Sequence, residues 1–235
     1  MVDESIEFMR MHELPEGYTL ADSYGKDSTV LLELARMAGV KFAHIHHFTG
    51  IDPPELIKFG RLHHTGAKIL WPRMTFWEGI HKWFPPTIHQ RWCCNVLKHG
   101  NNKANNLPRM ALVGVRAEES AKRKKRPRIH DANGLCMVKP IFLWTSWHVW
   151  EFIESLNLPY CELYDQGFDR LGCCVCPMIT SKNMGKVNQH RARWPGYYKT
   201  FEHAVTHWFY NHDWWDRHKY KTAGRFIQAW YRAFH

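Results

Sequence analysis

The chain reads as an α/β fold: a doubly wound, mostly parallel sheet followed by a helical C-terminal extension. Three observations predict it. Over the first seventy residues, short apolar runs of strand length alternate with helical segments in the order β-α-β-α-β. A glycine-containing turn, Ser23–Ser28, joins the first strand to the first long helix. The chain has 235 residues, 45% of them hydrophobic, enough for one sizeable core.

Each element has a local reason. Tyr18-Thr19-Leu20-Ala21 reads as a short strand. Thr29 through Ala38 are helix formers, and Gly39 stops them. Lys41–His46 reads as a second strand. Pro53-Pro54 opens a helix through about His64, because proline is tolerated in a first helical turn. Lys68–Leu70 is a third strand, and such an order implies parallel pairing with right-handed crossovers. Thr75–Trp83 reads as helix, stopped by Pro85-Pro86. Asn101–Asn106 is a polar loop, Met110–Val115 a strand, and Lys122–Arg128 a basic loop expected to be mobile. Pro140-Ile141 opens a further segment, Trp147–Leu156 a helix before Pro159, and two aromatic-rich helices follow Trp194. This organisation predicts a nucleotide-binding domain with a split cysteine site over 1–180. A helical extension over 181–235 packs on it.

Composition narrows the function. A formal net charge of +10 attracts polyanions, either nucleotides or nucleic acid, or else marks a merely basic surface. No apolar run approaches the roughly 20 residues that span a bilayer. The first residues are partly acidic and hold no apolar stretch, so the expectation is a cytoplasmic protein without a secretory signal or membrane partner. Seven cysteines in such a chain point to metal or redox use rather than disulfides. Of the 12 tryptophans, Trp194, Trp208, Trp214, Trp215 and Trp230 fall in the last third. Core packing is favoured for them over stacking on bases.

Two motifs carry chemistry. A turn between strand and helix directs backbone N–H groups at phosphate. In it Gly25 permits close approach, Lys26 adds a cation, and Ser23 and Ser28 add hydroxyls. The spacing is not that of a Walker A loop. The second motif is Cys93-Cys94 with Cys173-x-x-Cys176, whose four thiolates suit a 4Fe–4S cluster or a Cys₄ zinc site; spacing leaves both open. Cys174 should point elsewhere, and Cys136 and Cys161 read as buried thiols. His44 and His46 share one strand face, where hydrogen bonding or stacking near an adenine is favoured over a metal site. Lys98, one turn after the cysteine pair, is either a cation near that site or a surface lysine.

The loop Ser23-Tyr24-Gly25-Lys26-Asp27-Ser28 resembles the PP-loop of the ATP pyrophosphatases, with Tyr24 in place of the usual first glycine. Joined to the Cys-Cys…Cys-x-x-Cys pattern, it is similar to the phosphoadenosine- and adenosine-phosphosulfate (PAPS/APS) reductase family. Thr49-Gly50-Ile51-Asp52-Pro53-Pro54-Glu55 resembles that family's second-strand turn, with Phe48 where Asp is common. Gly114-Val115-Arg116-Ala117-Glu118-Glu119-Ser120 resembles its arginine loop. Pro140-Ile141, Trp144-Thr145, Val149-Trp150, Leu158-Pro159-Tyr160 and Leu163-Tyr164 agree with the approach to Gly172-Cys173. The likeness covers roughly residues 17 to 180.

The resemblance implies an adenine-nucleotide α-hydrolase fold. Ser23, Tyr24, Gly25, Lys26, Asp27, Ser28, Thr49 and Gly50 would line the nucleotide, and Arg116 and Arg123 would meet its second anionic group. Lys26, Asp27 and Arg116 would serve catalysis, with Mg²⁺ on the phosphates. Cys93, Cys94, Cys173 and Cys176 would hold a 4Fe–4S cluster. Thioredoxin-dependent members carry a nucleophilic cysteine in a C-terminal tail, and here no cysteine follows Cys176. The expectation is therefore an ATP pyrophosphatase-type sulfurtransferase: adenylation with pyrophosphate release, then sulfur transfer. The alternatives are a sulfonucleotide reductase that releases sulfite with an external thiol, and a non-catalytic nucleotide- or nucleic-acid-binding module. The basic run 122–128 would meet a tRNA or DNA acceptor. The sulfur or electron donor stays open, and a homo-oligomer is compatible with all three.

Overall fold

The computed structural model describes residues 1–99, 105–132, 134–180, 184–214 and 217–232. They form two compact units, 1–47 with 54–70 and 101–171, and 48–53 with 71–100 and 172–235. Residues 101–104 of the expected polar loop, and Trp215, lie outside the described residues.

The first unit is built on a sheet of β1 (Tyr18–Ala21), β2 (Phe42–His47), β3 (Lys68–Leu70), β4 (Met110–Leu112), β5 (Ile129–Ala132) and β6 (Leu135–Val138). The order is β3-β2-β1-β4-β6-β5. All neighbours are parallel except β5 and β6, which pair antiparallel with Ala132 opposite Leu135. The mostly parallel sheet is thus as expected. β5 and β6 were missed, although Asn133-Gly134 between them is a hairpin signal in the sequence. The basic run differs too: Ala121–Lys124 is a helix capped by Ser120, whose side chain accepts from the Arg123 N–H.

Helices Val2–Met11, Lys26–Ala38, Pro54–His63 and Ser146–Ser155 accompany the sheet. The first was not expected. It is held by Tyr18 Oη donating to the Met9 carbonyl at 2.7 Å and by Trp144 Nε1 donating to Ser5 Oγ at 3.1 Å. Its Met9 joins Leu20, Val30, Leu31, Leu34, Leu112, Val138 and Trp144 in one core. Burial on both faces is what parallel strands require.

The second unit is helical. Phe76–Lys82, capped by Thr75 in a capping box with Glu78, precedes the cysteine turn Trp92–Cys94. Pro177–Thr180, Met184–Arg193, Pro195–Asn211, Arg217–Tyr220 and Ala223–Tyr231 complete it. Trp194, Trp208 and Trp230 are core, whereas Trp71 is exposed, and three indole N–H groups find carbonyls. Trp208 donates to Trp83, Trp92 to Phe84 and Trp230 to Pro86, at 2.7–2.8 Å. A Cβ on Gly79 would stand 2.1 Å from the Trp92 ring, so only glycine lets that indole lie on the helix. No helix among the described residues is long and apolar enough to cross a membrane.

Candidate functional site

In the first unit the loop Ser23–Gly25 leaves β1 and enters helix Lys26–Ala38. Asp22, buried at the strand end, organises it. Its Oδ1 accepts the Tyr24 N–H at 2.7 Å, and its Oδ2 accepts from His44 Nε2 at 2.7 Å and His64 Nδ1 at 2.5 Å. Burial alone would raise the Asp22 pKa, but these bonds hold it well below the usual carboxylate range. The ligand atoms of Asp22, His44 and His64 lie within 4.8 Å of one another. Their N···O separations are those of hydrogen bonds, shorter than the about 3.3 Å between ligands around a tetrahedral zinc.

Tyr24 sits at φ +61° in the left-handed region. Its ring is buried, stacks on His46 at 3.9 Å and meets His64 edge-on at 5.5 Å. A Cβ on Gly60 would come within 2.2 Å of that ring. The Ser23 and Ser28 hydroxyls pair at 2.9 Å, and Ser28 Oγ also accepts the Ser23 N–H at 3.1 Å. The Lys26 N–H, first of the helix, donates to the Tyr164 hydroxyl at 2.9 Å. The buried Lys26 ammonium donates to the Asp169 carbonyl at 3.0 Å and lies 3.6 Å from Asp27 Oδ2.

Arg116 joins this group. Its Nε donates to Asp27 Oδ1 and its Nη1 to Glu118 Oε2, both at 2.6 Å. Glu119 accepts the Arg116 N–H at 2.9 Å and pairs with Arg123. Arg116 and Arg123, expected on the nucleotide's second anionic group, thus carry carboxylates as close partners. Burial raises the Glu119 pKa, but the Arg116 N–H and Arg123 outweigh it and hold it low.

The second unit holds all four expected cluster cysteines, together with Thr49 and Gly50. Cys93 and Cys94 end the short turn that precedes a π-helical stretch, Asn95–His99, a form often found at functional sites. A hydrogen bond to Cys94 pushes the Cys93 thiol up; burial and the sulfurs of Cys94, Cys173 and Cys176 add to it. The reciprocal bond lowers Cys94 to about 6, against burial and with help from Lys98 and Arg91. Burial raises Cys173 to about 12, opposed by Lys98. Lys98, facing Cys173, Asp52, Cys94 and Cys176, is held charged. Four cysteines that interact electrostatically, with one lysine facing them, are a donor set that fits an iron–sulfur cluster or a Cys₄ zinc site. Thr49 Oγ1 lies 3.7 Å from Cys173 Sγ, and the Thr49 N–H donates to Asp52 Oδ2 at 2.8 Å. Cys174 is buried among other residues, its N–H on the Ile51 carbonyl at 2.7 Å. Cys161 is buried as expected, whereas Cys136 is only half-buried.

The model of the phosphoadenosine phosphosulfate reductase domain matches residues 17–179. The chain belongs to that family. It is 31% identical to an uncharacterized protein of Methanocaldococcus jannaschii over 83% of this chain and 42% of that one. It is 37% identical to the adenosine 5'-phosphosulfate reductase of Oceanobacillus iheyensis over 38% of this chain and 37% of that enzyme. The chain therefore spans less than half the length of either relative. Among solved structures, the phosphoadenylyl-sulfate reductase of Candida auris in its phosphate complex shares the fold. Its TM-score is 0.54 at 19% identity, over 72% of this chain and 88% of that one. In this PAPS reductase family member the loop follows the first strand of a mostly parallel sheet.

Three residues of the loop's environment had not been singled out from sequence: Asp22, His64 and Tyr164. Asp22 adjoins the loop but carries no motif signal of its own, and Tyr164 lies 138 residues from Lys26 in sequence. His64 follows the helix Pro54–His63, which delivers it to Asp22.

Proposed function

We propose that the protein is a PAPS reductase-like PP-loop enzyme that binds ATP on Ser23–Ser28 and holds a 4Fe–4S cluster on Cys93, Cys94, Cys173 and Cys176. It activates its substrate by adenylation and then completes a sulfur transfer. The cluster, when bound, supplies a site at which sulfur or electrons can be held. The substrate's nucleophile attacks the α-phosphorus of ATP, the bond to the β-phosphate oxygen breaks, and pyrophosphate leaves. A sulfur nucleophile then displaces AMP. The Lys26 N–H at the helix start and the Lys26 ammonium would meet the charge on the leaving phosphates. A phosphate oxygen would replace the Tyr164 hydroxyl on that N–H. Both Asp27 oxygens face cations, so Mg²⁺ would be held mainly by the nucleotide's phosphates, with Asp27 orienting Arg116.

One observation carries the preference for ATP over a sulfonucleotide. Arg116 and Arg123, the arginines available for a sulfate or extra phosphate, are neutralised by Asp27, Glu118 and Glu119. A ligand that brings its own cation suits such a site better than one that relies on uncompensated arginines. The exposed Lys122, Lys124, Lys125 and Arg126 support a tRNA or DNA acceptor, by sequence-independent phosphate contacts.

The test uses anaerobically purified protein. One sample receives Mg·ATP with candidate acceptors, and another receives a sulfonucleotide with a dithiol; pyrophosphate and sulfite are assayed in both. Pyrophosphate from ATP supports the proposal. Sulfite from the sulfonucleotide, with no pyrophosphate from ATP, overturns it in favour of reduction with an external thiol.

A further inference from the structure

Among the histidines of the second unit, which the proposed function leaves unused, four belong to two packed helices and their ends. His203 and His207 lie four residues apart on helix Pro195–Asn211, so both project from one face. His212 is the residue that ends this helix, and its N–H still bonds the Trp208 carbonyl at 3.1 Å. His81 lies in the last turn of helix Phe76–Lys82. The His81 and His207 rings meet edge-on, 4.7 Å between centroids at 87°.

The backbones that bear these rings are fixed. Trp208, between the two helical histidines and His212, donates its indole N–H to the Trp83 carbonyl at 2.8 Å and stacks on His212 at 5.9 Å. Phe76 and Phe201 stack beneath at 6.5 Å. The side chains are accessible: His203 and His207 are exposed, His81 and His212 half-buried. Yet the Nδ1 atoms of His81 and His212 are themselves buried and have no hydrogen-bond partner among the described residues. Buried polar atoms of this kind call for an explanation such as an unseen ion.

We propose that His81, His203, His207 and His212 form a binding site for a borderline divalent transition metal of the zinc, cobalt and nickel class, joining helix Phe76–Lys82 to helix Pro195–Asn211. Imidazole nitrogens select these ions, and a set with no carboxylate disfavours magnesium and calcium. With metal–nitrogen bonds of about 2.1 Å, one ion reaches adjacent imidazoles once the exposed His203 and His207 rotate toward it. Burial, followed by His207, His203 and His212, keeps His81 below the ordinary histidine range, so the ring is neutral and offers a lone pair at neutral pH.

Cobalt(II) is the probe. It is titrated anaerobically into the full chain while the visible d–d bands, the near-ultraviolet sulfur-to-cobalt band and the melting temperature are followed. The expected result is an ion bound with d–d bands and no accompanying sulfur band, with a raised melting temperature. The paired variant His203→Gln with His207→Gln, both exposed positions, should keep the same circular dichroism. It should lose this ion by at least about tenfold in affinity, while His44→Gln retains it. Cobalt bound only through sulfur in the wild type overturns the proposal. Undiminished sulfur-free binding in the paired variant does so as well.

Discussion

The Asp22 carboxylate holds the Tyr24 backbone N–H at 2.7 Å, and Tyr24 turns left-handed at φ +61° directly above that bond. A non-glycine residue in this conformation costs about 1–2 kcal/mol. The Asp22 bond, the His46 stack and the bare Gly60 surface offset it. This explains how a tyrosine is held in a left-handed turn at the start of the loop. Gly60→Ala should therefore destabilise the protein by about 1–3 kcal/mol, because its methyl enters the space of the Tyr24 ring. Urea denaturation measures this, and an unchanged midpoint would show that the ring has room to move.

Asp22→Asn should destabilise the protein in a pH-dependent way. The folded-state pKa of Asp22 is depressed, so its contribution is fully present above the unfolded value of about 3.9. It is lost as pH falls below that value, at up to about 1.4 kcal/mol per unit. The stability gap between wild type and variant should narrow as pH falls below about 4. A gap that widens as pH falls below about 4 would contradict the assignment.

In the cluster-free protein, Cys94 should be the reactive thiol. Its hydrogen bond from Cys93, with Lys98 and Arg91, sets it at about 6. Iodoacetamide labelling, located by peptide mass, should reach half its plateau rate near that pH. Lys98→Met should move the midpoint upward. Equal labelling of Cys93 and Cys94 at neutral pH would argue against this pairing.

Cys93→Ser in anaerobically prepared protein should lose the iron and the visible absorption of the cluster, because three thiolates remain where four are needed. Cys136→Ser, on strand β6 of the first unit, should retain both. Unchanged iron content in Cys93→Ser would remove that residue from the site. Zinc in place of iron in the wild type would change the metal but keep the ligands.

Lys26→Ala should weaken ATP binding by about 1–3 kcal/mol, the range of a lost charged hydrogen bond. Tyr164→Phe should act oppositely, tightening binding by about 0.5–1.5 kcal/mol, because it frees the Lys26 N–H that the hydroxyl occupies. Calorimetry with a non-hydrolysable ATP analogue reads both. Weaker binding in Tyr164→Phe would make the hydroxyl a ligand contact instead.

Much of this protein was legible before any coordinates. Strand β1, strand β3, the helix after the loop and the mostly parallel pairing follow from apolar periodicity and from glycine and proline punctuation, which act over a few residues. The cysteines announced themselves because thiol clusters have few other uses. What local sequence does not encode is which distant side chain arrives at a given atom. The Asp22 hub needs β2 to bring His44 and the following helix to bring His64, separated from Asp22 by 22 and 42 residues. Tyr164 reaches the Lys26 N–H across 138 residues. The tryptophans likewise took their places through tertiary packing, since a carbonyl that accepts an indole N–H 125 residues away leaves no periodic trace. Local propensity decided the elements, and long-range packing decided which charges and hydrogen bonds meet at the site.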